Sequence, residues 1–383
     1  LYNAPDRYPL STRRDYAASG LTLPVDGAAG SSDAQGLVVW PTSAQANLLA
    51  QLSGPLVDVD NFAGAEATKT LLLDLGGSVV WNESAKQQVD AEISSYVHAH
   101  LVKAYAKKIA PLMSWLNAQL PVTVNINDQC NAYSDGTSIN FYDASNTCEN
   151  TGRVADIVYH EFGHSFHNHA ILPGVGAFDG ALSEGVSDYL SATMTGDPGM
   201  ARGFFYSSQP LRDIDPVGSE AKWPDDVSGE VHNDGLIIAG ALWDLRKLLV
   251  AKLGDTAGVD TLNQLYFELL KRSVDIPSTY VEILAADDDD GDLENGTPNV
   301  CEINEAFGLH GLRSIGAATA SLGVQPPSAE GYDVSLQLSG LYPQCGTDIV
   351  SSIYLNWRLR SDKAIGGSID MPGANGSYAA TIP

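Results

Sequence analysis

The sequence predicts an α+β protein with a strand-rich part and a helical part in its central region, flanked by a strand- and loop-rich N-terminal region and a small C-terminal β module. Three observations carry that expectation. Residues 1–82 are rich in Gly, Ala, Ser and Pro, with short apolar bursts such as Leu37-Val38-Val39-Trp40 and Val79-Val80-Trp81. Through most of 83–312, apolar residues recur at helical spacing, interrupted once by strand-like alternation. Alternation returns near the end, so 323–383 reads as a β module, whole or partial.

The elements follow in order. Residues 83–110 carry Val89, Ile93, Tyr96, Val97, His100, Leu101 and Tyr105 along one helical face, and Pro111 stops that helix. Residues 121–127 and 137–142 alternate as strands, and the turn Ser134-Asp-Gly136 between them suggests a hairpin. Helical periodicity then runs over 154–168, over 181–195 with Gly196 as its stop, over 235–253 with Gly254 as its stop, and over 259–273. Thr297-Pro298 opens a further helix, proline being favoured in a first turn. Residues 334–338 and 352–357 alternate as strands, and no repeat of solenoid period occurs.

Composition narrows the function. The chain has 383 residues, 44% of them apolar, so it can bury a core and is no acidic disordered tail. Its 47 acids against 21 bases leave a net charge of −26, which argues against nucleic acid as a partner because phosphate binding needs clustered Lys and Arg. The longest apolar stretch, 235–243, is about half of what a bilayer crossing needs. Residue 1 is Leu with no charged-then-apolar leader, so any targeting segment is expected outside this sequence. Four cysteines, high negative charge and few lysines fit a secreted or cell-surface protein. Of the three possible pairings, Cys130–Cys148 and Cys301–Cys345 are favoured. The first staples a local hairpin and the second ties a late helix to the C-terminal segment; four free buried thiols are the alternative.

The chemistry-bearing segment is His160-Glu161-Phe-Gly-His164. Histidines four apart on a helix project from one face, one turn apart, and can take two positions around a tetrahedral Zn²⁺. Glu161 then sits where it can act on a water held there. Zinc needs a third ligand, and Glu184 lies twenty residues after His164 on the next helix. Asp188, one turn on, is placed to accept the free ring N–H of a ligand histidine.

With those residues in hand, the chain resembles the thermolysin-like and fungalysin-like zinc metallopeptidases, whose metal is held by two His and one Glu. The His160-Glu161-x-x-His164 helix, the twenty-residue gap and Glu184-x-x-x-Asp188 match the thermolysin arrangement. The stretch from Cys301 to Leu312 is similar to fungalysins, which typically have a longer gap. The resemblance covers roughly 83–312 and implies a two-lobed zincin catalytic domain. It implies that Asn131 and Ala132 belong to an edge strand holding substrate backbone. It also implies that Arg212, in Leu211-Arg212, binds the carbonyl on the leaving-group side, and that His232 stabilises the transition state, with Asp225 or Asp226 orienting it. Glu161 is then general base and later general acid. One departure stands out: the tyrosine such enzymes commonly carry between the second histidine and the glutamate is missing, and Tyr206 is a candidate substitute.

Other features have plainer readings. His98, His100, His167 and His169 read as structural histidines, and Ile157 reads as core or pocket lining. Asp287, Asp288, Asp289, Asp290 and Asp292 cluster closely enough to suggest Ca²⁺, although the spacing is not that of an EF-hand and a solvated acidic loop is the alternative. The expected function is a secreted zinc endopeptidase with protein or peptide substrates, as mature enzyme or as zymogen. The competing readings are an exopeptidase or narrow-specificity peptidase on the same site, and a non-catalytic zinc-containing binding or adhesion protein. Cleavage preference and oligomeric state are not legible.

Overall fold

The computed structural model describes residues 1–41, 44–313, 318–322, 331–338, 340–346, 352–374 and 376–382. The opening of the expected C-terminal module, 323–330, lies outside the described residues. Seven α-helices and several sheets appear among those described, a mixed α+β architecture.

The N-terminal stretch contributes β1 (Tyr2–Pro5) and β2 (Arg13–Tyr16) as an antiparallel pair. It continues with β3 (Thr22–Val25), β4 (Ala28–Ser31), β5 (Ala46–Ala50), β6 (Val57–Asn61) and β7 (Lys69–Leu73). β4, β3, β5 and β7 form one antiparallel sheet in that order. Alternation explains its inner face, since Leu23 and Val25 of β3 and Ala46, Leu48 and Ala50 of β5 are buried while their neighbours are not.

Next comes α1 (Gln87–Ile109), which stops two residues before Pro111 as expected. It is more deeply buried than an amphipathic reading allows. Leu101, assigned to the apolar face, is exposed, whereas Asp90, Glu92, His98 and Lys103 are buried. Each of these polar groups has a partner, which is what makes its burial tolerable. Asp90 pairs with Arg13 at 2.5 Å and Arg153 at 2.9 Å, and Lys103 donates to the carbonyls of Leu56 and Ala118. The His98 ring sits between Tyr159 Oη and the Pro5 carbonyl. Glu92 accepts from the Ala67 amide at 2.7 Å. Pairing with distant segments lets polar residues occupy core positions, and it hides the helix's true buried face from periodicity.

Above α1 lies a four-stranded sheet made from β6, β8 (Leu120–Ile126), β10 (Ile139–Tyr142) and β9 (Ala132–Ser134), in that order. β8 runs parallel to both β6 and β10. The expected hairpin between 121–127 and 137–142 is therefore corrected. The turn after Ser134 joins β9 to β10, and β10 folds back between β9 and β8, which leaves β9 on the sheet's edge.

The helical part comprises α2 (Ala155–Ala170), α3 (Gly180–Thr195), β11 (Gly199–Met200), β12 (Arg212–Asp213), α4 (Val231–Leu253), α5 (Asp255–Arg272), α6 (Ser278–Asp287) and α7 (Val300–Leu309). Asp179 caps α3 by accepting the Leu182 amide at 2.7 Å, and Gly196 ends it in the left-handed region. α4 starts four residues earlier than periodicity suggests, and α6 was not anticipated. α7 begins at Val300, so Pro298 precedes the helix instead of entering its first turn. Missing side chains bring α2, α3 and α4 together. A Cβ on Gly163 would lie 2.8 Å from Ser187, and one on Gly185 only 2.2 Å from the Gly235 carbonyl oxygen. One hydrophobic cluster extends from Tyr2 to Leu312 and includes Tyr342.

The last strands are β13 (Ala318–Leu322), β14 (Tyr332–Leu338), β15 (Tyr354–Arg358), β16 (Gly366–Asp370), β17 (Gly373–Ala374) and β18 (Ser377–Ile382). β13, β14, β18 and β17 form a sheet, and β15 pairs with β16. Both favoured disulfides are present: Cys130–Cys148 beside the β9–β10 hairpin and Cys301–Cys345 from α7 to the C-terminal segment. No described helix is long and apolar enough to cross a membrane.

Candidate metal centre and cleft

His160 and His164 stand one turn apart on α2, and their Nε2 atoms approach to 3.1 Å. Glu184 reaches them from α3, with Oε2 3.1 Å from His160 Nε2 and Oε1 3.6 Å from His164 Nε2. One ligand atom from each of the three lies within 4.8 Å of the others. The close glycine-mediated crossing of α2 and α3 makes this convergence possible.

The far side of each imidazole is anchored. His160 Nδ1 lies 2.8 Å from Asp188 Oδ1, and Arg212 grips the same carboxylate through Nε at 2.9 Å and Nη2 at 2.7 Å. His164 Nδ1 faces the hydroxyls of Ser183 at 2.9 Å and Ser187 at 3.3 Å. These contacts fix both rings with Nε2 turned inward, as metal-binding histidines require. Glu184 Oε2 is buried, with His160 Nε2 at 3.1 Å and His232 Nε2 at 3.5 Å beside it. Two imidazole nitrogens and one carboxylate form a donor set suited to zinc, and the residues present fit that ion.

Electrostatics agree. Burial disfavours charge on His160, yet Asp188 and Glu184 outweigh it and push the ring up to about 10. Burial and the neighbouring His160 lower His164 to about 4. Burial opposes the charge on Asp188 too, but Arg212 and His160 hold it well below the usual carboxylate range. The two carboxylates thus favour positive charge at the point where they meet the rings. Glu161, buried beside it, is raised to about 7 chiefly by burial.

His232 approaches from the first turn of α4, its Nε2 3.5 Å from Glu184 Oε2. Its orienting partner is Glu230, whose Oε1 lies 2.6 Å from Nδ1. Asp225 and Asp226 do not take that role: Asp226 accepts the Lys222 amide instead. Glu230 also caps α4 by accepting the amides of His232 and Asn233, so one carboxylate sets both the helix start and the ring.

Two cavities meet at these residues, sharing Asn131, Ala132, His160, Glu161 and His232. One, of about 430 Å³, is walled by Ile157, Met200, Phe204, Phe205 and Leu211 with Arg212 at its margin. The other, of about 500 Å³, runs past His164, Ser183 and Glu184 to Asp135 and Phe178. Asn131 and Ala132 thus border both, next to the sheet edge. Tyr206 is not among the lining residues: its hydroxyl donates to the Ser145 and Cys148 carbonyls at 2.7 Å each. Phe178 faces the cleft from the segment between His164 and Glu184 and brings no hydroxyl.

Three other histidines pack against aromatic rings. His167 stacks on Phe178 and His169 on Trp115, while His100 packs on Tyr96. Asp287, one of the calcium candidates, has a buried carboxylate that accepts from Thr297 Oγ1, Asn299 N and Asn299 Nδ2, each at 2.6 Å, bracing the start of α7. Asp288, Asp289 and Asp290 lie near one another, but Asp288, Asp290 and Asp292 are engaged in turns of their own loop. Sequence reading missed Glu230, Ser183, Ser187 and the apolar wall at 200–211. A carboxylate two residues before His232 was the available signal for the first.

No protein-family model and no curated protein matches the chain. Among solved structures, it is similar to the precursor of protealysin, a metalloproteinase from Serratia proteamaculans. The TM-score is 0.46 and the identity 14%, over 69% of this chain and 90% of that one.

Proposed function

We propose that the chain is a secreted zinc endopeptidase that hydrolyses peptide bonds in extended protein segments. The observation that carries this reading is the convergence of His160, His164 and Glu184 at the meeting point of two cavities beside a sheet edge. Those three residues would hold the ion, which supplies Lewis acidity toward a peptide carbonyl and a water. Glu161 takes a proton from the attacking water and returns it to the departing amine. His232, steadied by Glu230, donates to the oxygen that gains negative charge. Asp188 keeps His160 in register, and Ser183 does the same for His164.

Substrate placement follows from the same geometry. Main-chain groups at Asn131 and Ala132 pair the substrate as a further antiparallel strand. Arg212 commits Nε and Nη2 to Asp188, which leaves Nη1 for the carbonyl on the leaving-group side. The wall of Ile157, Met200, Phe204, Phe205 and Leu211 suits an apolar side chain next to the cut. Space on both sides of His160 supports internal cleavage over terminal trimming. The two disulfides suit an oxidising, extracellular setting.

The test is casein digestion followed by mass spectrometry of the fragments. Internal cuts that vanish with a chelator and return with zinc are expected. Fragments trimmed only from their ends would support the exopeptidase reading. Intact casein with zinc-loaded protein would overturn the enzyme reading in favour of a binding role.

A further inference from the structure

A second histidine–carboxylate cluster lies away from the cleft and shares no residue with it. His310, at the C-terminal cap of α7, is 1% exposed. Its Nδ1 lies 2.8 Å from the Ala221 carbonyl oxygen, which can only accept, so Nδ1 carries the hydrogen. Nε2 then faces Asp244 Oδ2 at 3.2 Å and Glu220 Oε2 at 3.8 Å. All three ligand atoms fall within 4.8 Å of one another. A bare nitrogen lone pair aimed at two carboxylates is repulsive unless a proton or a cation sits between them.

Charge balance discriminates between the two. The charged groups that act on Glu220 are Asp244, His310, Asp215 and Lys247. Lys247 binds the outer oxygen of Asp244 and Asp215 Oδ1, both at 2.6 Å. Three carboxylates against one ammonium leave two negative charges in excess. A divalent cation removes both. The ring is also held as a ligand would be: Nδ1–H on a backbone carbonyl fixes the tautomer, and the ring fills the space of a missing side chain. A Cβ on Gly240 would come within 2.4 Å of His310 Cε1.

We propose that Glu220, Asp244 and His310 form a second divalent-cation site, of the zinc class, that clamps the segment between β12 and α4 onto the helical core. One imidazole with two carboxylates suits Zn²⁺ or a neighbouring transition ion better than Ca²⁺, which prefers six to eight oxygens. The clamped segment joins Arg212 to His232, and the Trp223 amide donating to the His310 carbonyl at 2.9 Å seats it at the same place. The site would therefore steady two residues of the cleft without touching substrate.

The experiment is equilibrium dialysis of the full chain, first stripped with a chelator, against Zn²⁺, with elemental analysis and thermal melting. Wild type should bind two equivalents, and His164→Ala and Glu220→Gln one each. In Glu220→Gln the second equivalent should be lost at zinc concentrations that saturate it in wild type, and zinc should raise the melting temperature less than in wild type. Glu220 is partly exposed, so its variant is expected to fold where a His310 variant need not. Glu220→Gln binding as much zinc as wild type, or His164→Ala binding none, overturns the proposal in favour of an ordinary buried ion pair. Absence of peptide cleavage by the zinc-loaded protein would leave these stoichiometries untouched.

Discussion

The two histidine–carboxylate clusters are built from similar side chains and differ in what surrounds them. His160, His164 and Glu184 come from two neighbouring helices and open onto cavities on both sides. Glu220, Asp244 and His310 come from three parts of the chain, line neither of those cavities and pack beside Lys247, Ala221 and Gly240. An ion that is to act on a substrate needs an unfilled position; one that is to hold a structure does not. The difference also lies in neighbours: beside the first cluster stand a buried carboxylate, Glu161, and an oriented imidazole, His232.

That contrast can be broken or sharpened, beginning with the largest effect. Glu161→Gln should lower casein turnover by about 10²–10⁴-fold while leaving bound zinc unchanged by elemental analysis. Loss of zinc together with activity would move Glu161 into the metal-holding set. His232→Ala should cost about 10²–10³-fold in kcat with little change in KM, read by steady-state kinetics on a short peptide. An unchanged kcat would remove it from the chemistry.

Histidines belonging to neither cluster give a third case. Burial lowers His98 from 6.5 to about 4. The unfolded chain therefore takes up the proton first. The stability is fully present above about pH 6.5 and is lost as pH falls to about 4, reaching about 3 kcal/mol. Urea unfolding at pH 7.5 and 4.5 should show a smaller acid loss in His98→Gln than in wild type.

Gly240→Ala drives a methyl into the His310 ring and should destabilise the chain by about 1–3 kcal/mol in thermal melts. Zinc affinity at the cleft should not change, because no ligand there touches Gly240. Smallest are the positioning changes: Asp188→Asn should weaken zinc about 10–100-fold. Ser183→Ala should weaken it by less than tenfold, since a neutral hydrogen bond contributes about 1 kcal/mol and Ser187 lies close enough to share His164 Nδ1.

The same contrast explains what the sequence could reveal. His160, His164, Glu184 and Asp188 were legible because each pair sits one helical turn apart, and helical spacing is visible in a linear string. The disulfide pairing was legible because one bond staples a local hairpin and the other ties a late helix to the C-terminal segment. The second cluster was not, since residues 220, 244 and 310 have no common period. Strand order failed similarly: local alternation marks 121–127 and 137–142 as strands but does not say that β9 takes the edge. α1 misled because Asp90 and Lys103 are buried on partners from elsewhere, and Leu101 is exposed despite its apolar side chain. Glu230 escaped attention because a capping carboxylate needs a helix start, and periodicity placed that start four residues too late.

The Cys301–Cys345 bond has a practical consequence for handling the protein. A single backbone break anywhere between those two residues leaves both pieces covalently joined, so a nicked sample would run as one intact species on a gel until thiol is added. Reducing and non-reducing lanes side by side therefore distinguish a whole chain from one cleaved there.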